Sequence, residues 1–257
     1  MPTKKSLGQH WLTDRDVLGN IADSASIDTT DTVLEIGPGL GTLTSELLRR
    51  AERVVAVELD GDLARKLPGQ FPGKNLEVVK GDVLEFDLTT LPKGYVVVAN
   101  VPYYITSKIV QLLTTSTNPP KRIVLLVQKE VAQRLAAKPG DLSILAVSAQ
   151  LYADVTLGDV VPAEFFTPPP KVDSQVVIMN MRSELLVSRE DERLFFRVVK
   201  AGFSAKRKKL KSSLASGFHL EKSDSERVIT KAGIDPDARA EELSIEDWKR
   251  LVDQLRP

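Results

Sequence analysis

The sequence contains no cysteine. Disulfides, thiolate nucleophiles and cysteine-ligated metals are therefore excluded. Histidine is nearly as scarce, with only His10 and His219, so no metal centre is expected. No apolar run approaches the roughly 18 residues that would span a bilayer, and no membrane partner is expected. The first residues, Met1-Pro2-Thr3-Lys4-Lys5, lead into polar sequence with no apolar stretch. The expectation is a protein without a secretory signal, in the cytoplasm. A net charge is missing too, since 35 basic residues balance 35 acidic ones. Taken alone, that balance counts against a nucleic-acid partner.

What remains is an ordinary globular composition, 42% hydrophobic and 27% charged over 257 residues, long enough for one large domain and a small one. The charge is segregated along the chain. From Arg193 to Lys211 there are eight lysines and arginines and no acid, whereas the chain beyond Ser212 carries an acidic excess. A run of nineteen residues without an acid is a candidate phosphate-binding surface rather than an ordinary solvated face.

Short, fully apolar runs alternate with amphipathic segments from Thr32 onward. The strand candidates are Thr32–Ile36, Arg53–Glu58, Leu76–Val79, Tyr95–Ala99 and Arg122–Val127. Helical patterns intervene at Leu40–Arg49, Asp62–Leu67 and Ser107–Leu113. This alternation predicts an α/β fold with a doubly wound, mostly parallel sheet covered on both faces. Ligands then belong beyond the carboxyl ends of the strands. Leu142–Val155 and Val172–Met181 are further strand candidates, separated by Pro162 and Pro168-Pro169-Pro170, and suit an antiparallel addition at the sheet edge. From Ser183 the pattern is helical. The expected boundary lies near Arg182, between a catalytic domain (residues 1–182) and a small all-α domain (residues 183–257).

Four motifs fall at the predicted strand ends. The first, Glu35-Ile36-Gly37-Pro38-Gly39-Leu40-Gly41, is a tight turn whose glycines let the backbone approach a ligand. Its spacing is G-x-G-x-G, not the G-x-G-x-x-G of a dinucleotide site, and fits S-adenosylmethionine better than NAD. The second is Glu58, an acid ending the second strand, placed to accept both hydroxyls of a ribose. The third is Gly81-Asp82, whose carboxylate can accept from the amine of an adenine ring. The fourth, Asn100-Val101-Pro102-Tyr103, is the most discriminating. A conjugated ring amine is a poor nucleophile. The Asn100 side-chain oxygen and the Val101 carbonyl can take its two hydrogens and free its lone pair. Pro102 fixes the backbone, and Tyr103 offers a face to an unstacked base. No general base is needed, so catalysis is positioning and desolvation.

With these motifs, the chain resembles the RNA adenine N6-dimethyltransferases, and among them the small-subunit rRNA enzymes of the KsgA type. The likeness runs through Leu7-Gly8-Gln9-His10-Trp11-Leu12, Glu35 to Thr44, Asn100 to Tyr103, Gln128 to Arg134, Phe166 to Ser174 and Phe203 to Leu210. In this sequence Trp11 stands where the family usually has Phe, His10 where Asn is frequent, and Val101 where Leu or Ile is usual. The resemblance implies a Rossmann-like class I methyltransferase with S-adenosylmethionine as cofactor, bound by His10, Leu12, Gly37, Gly39, Glu58, Leu59, Asp82, Val83 and Asn100. It implies dimethylation of two adjacent adenines near the 3′ end of 16S rRNA, during maturation of the pre-30S particle. It adds Phe166 as a second stacking face for the base. Arg193, Arg197 and Lys200, on one helical face, with Lys206, Arg207, Lys208 and Lys209, are the expected RNA contacts. A monomer is expected. Three alternatives stay open: an Erm-type large-subunit rRNA methyltransferase, a non-catalytic RNA-binding assembly factor on the same fold, and an NAD(P)-linked oxidoreductase.

Overall fold

The computed structural model of the chain describes residues 10–205 and 207–256. Leu7-Gly8-Gln9 and Lys206 lie outside the described residues. The chain divides into two compact units, one holding the chain up to Gln133 together with Ala153–Met181, the other Arg134–Tyr152 together with Arg182 onward.

The first unit opens with a two-residue strand β1 (Trp11–Leu12) and helix α1 (Arg15–Ser24), whose N-terminus is capped by the Asp14 carboxylate. There follow β2 (Thr32–Ile36), α2 (Thr42–Leu47), β3 (Arg53–Glu58), α3 (Gly61–Lys66), β4 (Leu76–Lys80), β5 (Val96–Asn100), α4 (Thr106–Thr115), β6 (Arg122–Gln128) and α5 (Lys129–Leu135). α6 (Ile144–Gln150) belongs to the second unit, and β7 (Ala153–Val161), β8 (Phe166–Thr167) and β9 (Ser174–Met181) return to the first. The main sheet has the order β4-β3-β2-β5-β6-β9-β7. β4, β3, β2, β5 and β6 pair in parallel, whereas β9 pairs antiparallel to β6 and β7 antiparallel to β9.

This is the doubly wound sheet the alternation predicts, with the antiparallel addition at its edge. Val33, Leu34, Val54, Val55, Val96, Val97 and Val98 are all at most 1% exposed. Burial on both strand faces explains why these runs read as continuous apolar stretches rather than alternating ones. The strand order reverses between β2 and β5, and an open α/β sheet leaves its crevice at that point. β1 pairs antiparallel with β8, setting Trp11 opposite Thr167 and Leu12 opposite Phe166.

Leu142–Val155 departs from expectation. Only Ala153–Val155 is strand; before it, Ser143 caps α6 by accepting from Ala146 N at 3.3 Å. A short apolar run is ambiguous between strand and buried helix, and here the capping serine decides it. Gly140 N and Leu142 N both donate to the Glu241 carbonyl, at 2.9 and 3.2 Å. These bonds tie residues 134–152 to the C-terminal segment, a long-range grouping that a single cut near Arg182 does not express.

The second unit continues with α7 (Glu192–Gly202), α8 (Leu210–Phe218), α9 (Lys222–Lys231) and α10 (Ile245–Gln254). Its core centres on Trp248, fully buried, with Phe195, Val198 and Val199 of α7. A Cβ on Gly202 would lie 2.4 Å from the Trp248 ring. Replacing a helical glycine by alanine normally stabilises by up to about 1 kcal/mol. Here the clash with an immobile buried ring outweighs that gain. Gly202→Ala is therefore expected to destabilise by about 1–3 kcal/mol, read as a lower urea midpoint at unchanged m-value. A stabilised variant would contradict the packing described.

Candidate active site

Four strand ends and the N-terminal β1 converge on one cavity in the first unit. The cavity is open to solvent and is lined by residues from all five of these segments. His10, Leu12, Gly37, Gly39, Glu58, Leu59, Asp82, Val83, Asn100, Val101, Pro102 and Tyr103 all line it. Residues as far apart in sequence as 10 and 103 are thus brought together by topology. Trp11 and Glu35, members of the N-terminal element and of the glycine motif, line it as well, as does Tyr104, which no sequence motif included.

The glycine loop is locked to the neighbouring strand. Gly37 N donates to the Val57 carbonyl at 2.9 Å, and Gly39 N donates to Glu58 Oε2 at 3.0 Å. Gly39 has φ +57°, and a Cβ there would fall 2.4 Å from the Trp11 ring. Position 39 is therefore glycine for backbone conformation and for the close approach of the indole. The Trp11 indole N–H is buried without a partner among the described residues. β1 is held by Thr42, whose hydroxyl donates to the Leu12 carbonyl at 2.9 Å.

Glu58 is 6% exposed. Its Oε1 accepts from Asp60 N at 2.8 Å and its Oε2 from Gly39 N. Burial pushes its pKa up, against the pull of these backbone donors. Each oxygen has bonding capacity for a second donor, which matches the two hydroxyls of a vicinal diol. Asp82 spends Oδ1 on Leu84 N at 2.9 Å, leaving Oδ2 for a ligand. Leu59 is half exposed at the cavity wall, and Val83 is buried there.

At the end of β5, the chain passes Asn100 and Val101 and enters a 3-10 turn, Tyr103–Ile105. The Pro102 carbonyl accepts from Ile105 N at 3.3 Å. Neither the Asn100 side chain nor the Val101 carbonyl has a hydrogen-bond partner among the described residues. Two unused acceptors therefore stand side by side in the cavity. Tyr103 is fixed by its hydroxyl, 2.9 Å from Ser174 Oγ, and Ser174 is fully buried. The His10 ring lies 6.2 Å from the Tyr103 ring, 20° from parallel, and His10 Nδ1 is 2.7 Å from the Pro168 carbonyl.

Phe166 does not join this group. It is 2% exposed, packs in the hydrophobic core with Leu12, Leu18 and Val176, and is not a cavity residue. Its apolar ring helps to cover the sheet, apart from the residues that line the cavity.

In the second unit, Arg193, Arg197 and Lys200 of α7 are exposed, while Phe195, Val198 and Val199 of the same helix face the core. Arg197 lies over the Phe218 ring at 4.6 Å, which leaves its N–H edge for an anion. Arg207 and Lys208 are exposed too. Among the described residues, none of these five cations has an ion pair. Lys209 differs. Its ammonium pairs with Asp237 at 2.8 Å, and Lys211 pairs with the same carboxylate at 2.9 Å. The two lysines hold the Asp237 pKa down to about 2. Part of the basic run is thus neutralised by an acid from the tail. Among the described residues, no His/Asp/Glu cluster could hold a metal ion, and no helix is long and apolar enough to cross a membrane.

Glu35 lies beneath the glycine loop, 1% exposed, with Thr44 Oγ1 donating to its Oε2 at 2.6 Å. Burial raises its pKa to about 8, with the Glu58 charge adding to the rise and Thr44 opposing it. The folded chain then keeps this proton up to about pH 8, whereas an unfolded carboxyl releases it near 4.5. Between those values the folded state binds more protons, so stability falls as pH rises through the window. Glu35→Gln is expected to remove that part of the fall. The check is thermal midpoints of both proteins from pH 5 to 8.5; parallel pH profiles would refute the assignment.

Comparison with known proteins places the chain. The family model described as ribosomal RNA adenine dimethylase matches residues 2–256. The ribosomal RNA small subunit methyltransferase A of Dehalococcoides mccartyi (strain CBDB1) is 41% identical over 255 residues, covering 98% of this chain and 88% of the relative. A dimethyladenosine transferase from Plasmodium falciparum superposes with a TM-score of 0.82 at 29% identity, covering 94% of this chain and 96% of that one. The 23S rRNA methyltransferase ErmE superposes with a TM-score of 0.79, also at 29% identity, over 95% and 99%. Sheet order, the cavity at its switch point and these matches lead to one assignment: the chain belongs to the ribosomal RNA adenine dimethylase family of methyltransferases.

Proposed function

We propose that the cavity binds S-adenosylmethionine and that the chain dimethylates the N6 amine of adenine in small-subunit rRNA. The observation that carries this reading is the pair of unpartnered acceptors, Asn100 Oδ1 and the Val101 carbonyl. An aromatic amine presents two hydrogens, and leaving either acceptor unused when water is excluded costs about 1–3 kcal/mol. An adenine amine satisfies both. Holding its two hydrogens out of conjugation returns the lone pair to nitrogen, ready for attack.

The residues on the opposite wall fit the cofactor. Glu58 has one free position on each oxygen for the ribose hydroxyls. Asp82 Oδ2 can accept from its adenine amine, and Leu59 and Val83 flank the ring plane. Bound there, the cofactor supplies a methyl group on a positively charged sulfur. The chain then orients the amine, excludes water and needs no base, because the methylated amine loses its proton readily to solvent. Tyr103, with its hydroxyl pinned to Ser174, keeps its ring fixed as a stacking surface for the extruded base. Burial holds the Tyr103 pKa above its ordinary value, so the ring is neutral at physiological pH. Arg193, Arg197, Lys200, Arg207 and Lys208 supply cations for phosphates, which position the RNA without reading its sequence. The small-subunit substrate, rather than the large-subunit one, is supported by the 41%-identical relative named ribosomal RNA small subunit methyltransferase A.

Asn100→Ala and Tyr103→Ala are expected to lower methyl transfer to small-subunit rRNA by 10²-fold or more, as for loss of a positioning group. RNA affinity should change little in Asn100→Ala and fall about ten-fold in Tyr103→Ala, which loses a stacking ring. Radiolabelled methyl transfer and filter binding read the two quantities; full activity in both variants would remove the assignment. A second outcome concerns the two lysines paired with Asp237. Asp237→Asn is expected to free Lys209 and to leave Lys211 only its longer contact with Glu226, at 3.7 Å, tightening RNA binding at low salt. The slope of log affinity against log salt should steepen by about one unit. An unchanged slope would show that these lysines stay clear of the RNA.

A further inference from the structure

Among the described residues, Tyr104 is the one large aromatic side chain of the cavity that is mostly exposed. It is 64% exposed and lines the same cavity as Asn100 and Tyr103. Among the described residues its ring has no aromatic or cationic partner and its hydroxyl no hydrogen bond. A single exposed ring is ordinary on a protein surface; what sets this one apart is that it lines the cavity that holds Asn100 and Tyr103. The inner positions are already assigned. The two free acceptors define where the target amine ends, and the tethered Tyr103 stands beside them. Phe166, the other candidate stacking ring, is in the core. Tyr104, one residue further along the 3-10 turn, therefore serves what lies outside the target base.

Extruding a base from its stack leaves the neighbouring base with one face uncovered. A fixed ring at the mouth restores that contact without reading the base, since every base has a π-face. Lys108, exposed and without an ion pair among the described residues, follows four residues later on α4, where it can meet the accompanying phosphate. We propose that Tyr104 is an RNA-positioning residue that stacks on the single-stranded nucleobase flanking the target adenine. The proposal rests on the adenine-methylation reading above and adds a second base-binding position to it.

The test is a cycle of protein and RNA changes, read as affinity so that turnover is not required. Labelled hairpin oligoribonucleotides carry adjacent adenines in the loop, with an abasic site placed on either side of the target in turn. Binding is measured by fluorescence anisotropy with S-adenosylhomocysteine present. Tyr104→Ala is expected to weaken binding of the intact hairpin on the order of ten-fold, whereas Tyr104→Phe stays within about two-fold because stacking uses the ring. One abasic position should weaken the wild type by the same factor and Tyr104→Ala no further. Additive losses at both positions, or a Phe variant as weak as the Ala variant, would overturn the proposal. So would weaker S-adenosylhomocysteine binding by Tyr104→Ala in calorimetry, because the ring would then belong to the cofactor. Methyl transfer by the wild type to small-subunit rRNA is assayed separately. Its absence would sink the reaction assigned above, while a non-additive cycle would still establish the stacking position.

Discussion

The bond from Gly39 N–H to the Glu58 carboxylate is the constraint on which the site depends. It joins the turn after β2 to the end of β3, across the point where a ligand must enter. A carboxylate at this depth is costly unless its lone pairs are met. Two backbone donors meet part of that need, and a diol meets the rest. The same bond fixes Gly39 under the Trp11 ring, so the floor of the cavity and its N-terminal cover are set together. Glu35 lies one layer below, protonated by burial and tied to Thr44. It supports the loop without adding a second negative charge beside Glu58.

On the β5 side the logic reverses. There the chain leaves acceptors open instead of satisfying them. Pro102 and the 3-10 turn use the Pro102 carbonyl internally, which leaves the Val101 carbonyl and the Asn100 side chain for a ligand. Two unpartnered acceptors lining one cavity suit a ligand group that presents two hydrogens. Positioning of this kind suits a reaction whose chemical difficulty is the poor basicity of the amine.

Much of this was legible in the sequence because it is local. Thr32–Ile36 and Arg53–Glu58 read as strands with their observed bounds, since burial on both faces makes strands continuously apolar. The motifs at strand ends needed only the parallel topology to bring them together. What was not legible depends on distant partners. Leu142–Val155 carries apolar residues compatible with either helix or strand, and the Ser143 cap with the bonds to Glu241 resolves it. Phe166 could serve core or ligand equally, and pairing of β8 with β1 commits it to the core. Tyr104 sits beside a strong motif, yet only its exposure separates it from a core tyrosine. Asp237 cancels Lys209 from 28 positions away, which a local charge count does not register.

The central claim is that this chain places two methyl groups on adenine N6 in small-subunit rRNA. Nucleoside mass spectrometry of both purified ribosomal RNAs, from cells with and without the chain, tests it most directly. The account predicts N6,N6-dimethyladenine in the small-subunit RNA that disappears when the chain is removed, with the large-subunit RNA unchanged. Loss from the large-subunit RNA instead, or no loss from either, would contradict it.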